Sequence, residues 1–140
     1  MPRVALLFCV ILAGCAFWIN KPNDPETLGY VDWVVSNLTS EPDAHFYEQQ
    51  AAPELLAQFS GAQFTRMAGA LTKNLGRFVA YHDATGTTRQ YTSPQRGISE
   101  AGQYVATADY ANGSTTIDVY VIKLNGKWKL SGYHVNLHLK

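Results

Sequence analysis

Only two cysteines occur in the 140 residues, Cys9 and Cys15, and both lie near the N-terminus. The rest of the chain has no thiol for a disulfide, a thiolate metal site or a cysteine nucleophile, so its stability must come from packing. An excess of charge of one sign is also missing. Eleven Lys+Arg balance eleven Asp+Glu, which argues against a general nucleic-acid binder. There is no internal repeat. The N-terminal apolar run, Val4 to Ala13, is about half the roughly 20 residues that a membrane-spanning helix needs. Asn20-Lys21-Pro22-Asn23-Asp24 follows soon after it. Aromatic residues are plentiful at 12% and can supply a core.

The N-terminus carries its own signal. Arg3 precedes the apolar run, which ends in Leu12-Ala13-Gly14-Cys15. This pattern resembles a bacterial lipoprotein signal. The resemblance implies that Cys15 is acylated and becomes the mature N-terminus, with a diacylglyceryl group and an amide-linked chain. One acyl chain holds a protein marginally, whereas two or more hold it firmly. An ordinary signal peptide would instead remove Cys15 or leave it as an odd thiol. Ala16 stands where an aspartate commonly marks inner-membrane retention, so the expected location is the outer membrane, facing the periplasm. The expected division is 1–14 signal peptide, 15–23 lipidated cysteine and tether, and 24–140 one domain. The 126 residues left after the signal suit a single core.

Helices come first in the body of the chain. Asp24 followed by Pro25 is a helix start, a capping side chain and then a proline at the first helical position. Leu28, Val31, Val34, Val35 and Leu38 recur at helical spacing, with Asp32, Ser36 and Asn37 between them. Asp43 to Gln50 is a short helical candidate that would bury Phe46 and Tyr47, and Pro53 restarts the chain into Glu54–Phe59. Ser60 and Gln63 form a capping-box pattern, with Phe59 and Phe64 placed as a hydrophobic staple. Phe64, Met67, Ala68, Leu71 and Leu75 then make one stripe, Lys73 suits the end of the helix dipole, and Gly76 suits a cap.

After Gly76 the period changes to two. Phe78 to His82 reads as a strand, and the polar stretch 83–100 leaves room for a short second one around Arg89-Gln90-Tyr91. Tyr104–Tyr110, Thr115–Leu124 and Lys127–Leu139 read as strands joined by Asn112-Gly113 and Asn125-Gly126. Asn-Gly between β-rich runs is a hairpin signal, because both turn residues need positive φ. Two-residue loops there place Ala108 opposite Ile117, Ala106 opposite Val119, Tyr104 opposite Val121, Val121 opposite Leu130 and Lys123 opposite Trp128. One face then collects Tyr104, Ala106, Ala108, Ile117, Val119, Val121, Trp128 and Leu130 for the helices to cover. Tyr133, Val135 and Leu137 are out of phase with Trp128 and Leu130. A β-bulge at Ser131-Gly132 restores the apolar face and turns His134 and Asn136 outward.

Helices followed by a curved antiparallel sheet define an α+β fold. The order resembles the cystatin-like α+β roll, the superfamily of nuclear transport factor two, ketosteroid isomerase and the polyketide cyclases. The resemblance spans roughly residues 25–139. Its most specific part is Asn125-Gly126-Lys127-Trp128-Lys129-Leu130-Ser131-Gly132-Tyr133-His134-Val135. This segment resembles the final strand of small bacterial envelope proteins of undefined role. Leu75-Gly76-Arg77 and Gly102-Gln103-Tyr104-Val105 resemble that group too.

Chemistry in such a roll sits between sheet and helices, and ketosteroid isomerases use an aspartate base with a tyrosine donor there. Tyr47, Tyr81, His82, Tyr104 and Asp32 are the corresponding candidates, but none falls in a motif of a catalytic family, so no catalytic residue is assigned. Tyr47, Tyr81, Tyr104 and Trp128 are the expected ligand-binding residues. In the plainer reading the tyrosines fill the core with paired hydroxyls, and Asp32 is a solvated helix residue. Asp109 and Asp118 are diagonal neighbours in the deduced register, about 7–8 Å apart, more simply a solvated sheet face than an acid–base pair. His134 and His138 lie about 13 Å apart on a strand, too far to share one ion, so no metal or cofactor is expected. Lys123, Lys127, Lys129 and Lys140 could meet an anionic partner, or could keep an exposed hairpin from pairing with neighbours.

These readings add up to a membrane-anchored, non-enzymatic module that binds an envelope protein, a peptide or a small apolar ligand. The alternatives are a small pocket enzyme of the isomerase or cyclase type, and a structural homodimer formed through the open sheet face around Val105, Tyr120 and Ile122.

Overall fold

The computed structural model describes residues 17–93 and 97–140. The segment 1–14 expected to be a signal peptide, and Cys15, lie outside them. The architecture is α+β, an open five-stranded antiparallel sheet in the order β1-β2-β3-β4-β5, with all four helices inserted between the first two strands. The strands are β1 (Phe17–Pro22), β2 (Phe78–Ser93), β3 (Gly97–Tyr110), β4 (Gly113–Leu124) and β5 (Lys127–Leu139). The helices are α1 (Pro25–Ser40), α2 (Ala44–Gln50), α3 (Pro53–Gln58) and α4 (Gly61–Leu75).

The helix signals act as read. The Asp24 carboxylate accepts from the Thr27 amide at 3.2 Å, and Pro25 opens α1. Val31, Val34, Val35 and Leu38 are all buried. Asp43 caps α2 through the His45 amide, and α3 begins at Pro53. In α4 the Ser60 amide donates to Gln63 Oε1 at 2.7 Å, and the Gln63 amide donates to Ser60 Oγ at 3.2 Å. The staple rings of Phe59 and Phe64 meet edge to face, 6.5 Å between centroids. Gly76 ends α4 at φ 80°.

Strand β1 corrects the tether expected over residues 15–23. Phe17–Pro22 pairs antiparallel with β2, Phe17 opposite Thr92 and Pro22 opposite Thr87. Six residues gave too short a pattern to read as a strand, and Pro22 stands at its end, where a lost donor is tolerated. The polar stretch 83–100 is corrected too. Its described part belongs to one long hairpin, with β2 running 16 residues and β3 14. Threonines at 85, 87, 88 and 92 favour extended backbone. Register shifts at Phe78/Ala80 and His82/Thr85 interrupt β2 and blur its alternation.

The β3–β4 turn is Ala111-Asn112 rather than Asn112-Gly113, because Tyr110 pairs with Gly113. Neither Asn112 nor Gly113 has positive φ. Tertiary bonds decide the turn: the Ala111 amide donates to the Arg77 carbonyl at 2.9 Å and the Asn112 amide to Leu75 at 2.8 Å. A side chain at Gly113 would collide with the His138 carbonyl and Leu75. The register moves by two, to Ala106 opposite Ile117 and Tyr104 opposite Val119. Because the side-chain period is also two, every residue keeps its face. The Asn125-Gly126 turn forms as read, with φ 52° and 77°. It sets Val121 opposite Leu130 and Lys123 opposite Trp128.

The bulge lies where the phase change requires. Gly132 pairs with Tyr120 and Leu130 with Val121, leaving Ser131 as the extra residue. Trp128, Leu130 and Tyr133 are buried, Val135 is half-buried, and His134 and Asn136 are exposed. Gly132 is needed for close approach, since a Cβ there would come within 2.8 Å of the Tyr120 ring.

This architecture generates a test. The chain beginning at Phe17 should fold, and the chain beginning at Asp24 should melt about 10 °C lower, because removing β1 strips the partner from one edge of β2. Equal melting of the two would restore the tether reading.

Candidate functional site

The four residues singled out as ligand-binding belong to or pack on one core, and their polar tips bond four different partners. The Tyr47 hydroxyl donates to the Phe59 carbonyl at 2.7 Å, and its ring stacks on Phe64 at 4.7 Å. Burial pushes its pKa up to about 12. The Tyr81 hydroxyl donates to Asp32 Oδ1 at 2.6 Å, and the same oxygen accepts from the Ala84 amide at 2.9 Å. Burial, then the bond to Asp32, holds the Tyr81 phenol far above its ordinary range. Asp32 is therefore not the solvated residue of the plainer reading: it binds the irregular stretch of β2. Trp128 Nε1 donates to Glu26 Oε1 at 3.2 Å, and Lys123 Nζ reaches the same oxygen at 2.8 Å. The Lys123 hydrogen bond, followed by that from Trp128, lowers the Glu26 pKa.

Tyr104 ends a buried chain of hydroxyls. Thr27 Oγ1 donates to Asp24, and Thr88 Oγ1 donates to Thr27 at 2.7 Å. Thr88 has then spent its proton, so the Tyr104 hydroxyl donates to it at 2.6 Å. Thr27, Thr88 and Tyr104 are fully buried. Sequence reasoning missed this relay because threonines on a helix and a distant strand give no common pattern.

A cavity of about 100 Å³ lies elsewhere, between the C-terminal end of α1, α4 and the sheet. Leu38, Met67, Leu71, Phe78, Ile117 and Val135 make its apolar walls. Tyr110, Thr115 and Tyr133 bring hydroxyl-bearing side chains to it. Thr115 is only 1% exposed, and its Oγ1 has no hydrogen-bond partner. Such an orphan costs about 1–3 kcal/mol. Burial raises the Tyr110 pKa, and a side-chain hydrogen-bonding interaction with Thr115, short of a well-formed bond, partly offsets it. Burial also holds the Tyr133 phenol well above its ordinary range. The lining includes no carboxylate, imidazole or amine among the described residues, and its polar side chains are hydroxyl-bearing.

The remaining candidates are dispersed. The register shift separates Asp109, opposite Ser114, from Asp118, opposite Val105. That is about 13 Å along the strands, so they are not diagonal neighbours. Asp109 instead bonds His82 at 2.7 Å, both half-exposed. His134 meets the Tyr120 ring edge-on, and His138 bonds Thr116 at 3.0 Å. Lys129 donates to the Gln49 carbonyl at 2.6 Å and Lys123 is held by Glu26, while Lys127 and Lys140 are exposed. On the open sheet face Val105 and Tyr120 are exposed and Ile122 is half-buried. No helix among the described residues is long and apolar enough to cross a membrane. No family model, curated protein or solved structure matches the chain.

Two outcomes follow from these contacts. Thr88→Val should destabilise the fold by about 1–3 kcal/mol, because it leaves the buried Tyr104 hydroxyl without an acceptor. An unchanged denaturation midpoint would show that the relay is not needed. Burial raises Tyr30, Tyr47, Tyr81, Tyr110 and Tyr133 above the ordinary value of 10. Above about pH 10 the unfolded chain releases tyrosine protons that the folded chain retains. Stability should therefore be full below that pH and fall as pH rises beyond it. Phenolate absorbance should appear together with unfolding; ordinary titration of these five in the folded protein would contradict their burial.

Proposed function

We propose that this chain is a lipid-anchored envelope protein of the cystatin-like roll class, acting as a non-enzymatic binding module for a small apolar ligand with one hydrogen-bonding group. The anchor reading rests on Leu12-Ala13-Gly14-Cys15 after Arg3 and a short apolar run. It places the protein at the outer membrane, facing the periplasm. The roll reading rests on helices covering one face of an antiparallel meander and on the final bulged strand.

The observation that carries the binding reading is Thr115. A buried hydroxyl with no well-formed hydrogen bond, near only Tyr110, borders a cavity whose walls are largely apolar but also include Thr39, Ser40, Thr72, Tyr110 and Tyr133. Native interiors keep few such groups. A guest that fills the apolar space and bonds Thr115 Oγ1 removes that cost. An apolar cavity of comparable size, about 150 Å³, is known to hold benzene, so the guest, or the part of it that enters, has a handful of heavy atoms.

The experiment has two arms. Fatty-acid labelling should mark the wild type and not Cys15→Ser; equal labelling sinks the anchor. NMR titration of residues 17–140 with butanol should shift resonances of Leu38, Met67, Thr115 and Tyr133. Chlorobutane, which lacks the hydroxyl, should bind about tenfold more weakly, the equivalent of one neutral hydrogen bond of about 1.4 kcal/mol. Thr115→Val should erase that difference, and Met67→Trp should block both ligands. Shifts spread over the open sheet face, or equal affinity for the two probes, would overturn the site.

A further inference from the structure

We propose that the end of the sheet that carries Ile19 and Ile98, with the neighbouring Asn125-Gly126 turn, is a membrane-seating surface that rests on the bilayer beside the lipid anchor. This rests on the lipidation of Cys15 proposed above.

The first argument is chain length. Cys15 stands two residues before Phe17, and Phe17 is already paired with Thr92. Two residues of extended chain reach about 7 Å at most. A lipidated Cys15 therefore has no tether long enough to carry it to another part of the molecule. The acyl chains must leave from the end of the sheet where β1 begins, and Thr92 pairs with Ile98 at that same end.

The second argument is what that end exposes. Ile98 is 66% exposed and Ile19 55%, among the most exposed large apolar residues described. Phe17, Thr92 and Ile98 form one cross-strand row, and Ile19, Gln90 and Glu100 form the next but one. Ile19 and Ile98 therefore share a face, two strands and two residues apart, on the order of 12 Å. Leu124 is exposed at the adjacent turn, and Lys127 opposite it is exposed too. Scattered surface apolar residues need no explanation, and the opposite end exposes Leu139 at 68% and Val79 at 51%; what singles out this end is that the acyl chains are tied to it. Aliphatic tips can enter the boundary between headgroups and acyl chains while lysine meets lipid phosphate. The acyl chains supply the affinity, and this end of the sheet fixes the orientation.

Orientation has a consequence for the ligand site. Tyr110, which borders the cavity, lies twelve residues along β3 from Ile98, on the order of 40 Å of strand. Seated in this way, the protein holds its cavity away from the membrane that carries it.

The test exploits the absence of thiols other than Cys9 and Cys15. The lipidated full chain is prepared as Ile98→Cys and, separately, as Leu139→Cys at the opposite end of the sheet. Each is labelled with an environment-sensitive dye and reconstituted into vesicles of phosphatidylethanolamine and phosphatidylglycerol. Mass spectrometry of the same samples reads the lipid on Cys15. The expected result is a blue-shifted dye at position 98, quenched by nitroxide lipids, and an aqueous dye at 139. An acylated protein with both dyes aqueous overturns the seating surface and leaves the anchor standing. A protein without lipid on Cys15 overturns both.

Discussion

The first turn of α1 bonds directly to three strands and, through Thr88, to a fourth, and the placement of everything else follows from that. Thr27 receives the hydroxyl chain from Thr88 on β2 and Tyr104 on β3, and Glu26 collects Lys123 from β4 and Trp128 from β5. Each of the two buried hydroxyl bonds contributes about 1 kcal/mol net, and an orphaned partner there costs about 1–3, whereas the exposed Glu26–Lys123 pair adds little. The arrangement therefore penalises any other docking of the helix. With its start pinned, α1 lays Val31, Val34, Val35 and Leu38 along the sheet. Asp32 meets Tyr81 and Ala84 one turn further on. The far end of the helix then reaches the cavity at Leu38, so the site is positioned by contacts made at the opposite end of the helix.

The parts of the fold legible in the sequence were those that local physics decides. Caps at Asp24, Asp43 and Ser60 act through bonds three residues long or shorter. The Asn125-Gly126 turn needs positive φ twice, and few residue types supply it. The bulge was legible because a phase change in an apolar pattern has few remedies. What failed was decided at long range. The Asn112-Gly113 signal yielded to amide bonds with Leu75 and Arg77 from another element. Strand β1 exists because β2 offers it an edge, and six residues do not announce that.

The candidate site was less legible for the same reason. Tyr47, Tyr81, Tyr104 and Trp128 drew attention as large side chains with polar tips, but each finds its partner locally or across the helix–sheet seam. Thr115 looks like an ordinary strand threonine. Its distinction is a missing partner, which only the packing of α1 and α4 over β4 reveals. Tyr110 and Tyr133 were read as strand positions; Thr115 pairs with Ala108 and Leu137, so these three come together only in the lining of the cavity.

On the function proposed above, the anchor and the cavity give the chain two ends with different tasks, one tied to a bilayer and one turned away from it. The most direct measurement of this account is native mass spectrometry of the protein extracted in mild detergent from the membrane of the cells that make it. The account predicts an acylated N-terminal cysteine and a small non-covalent guest, the guest absent from Met67→Trp. An acylated chain that carries nothing, identical in the wild type and the variant, would contradict it.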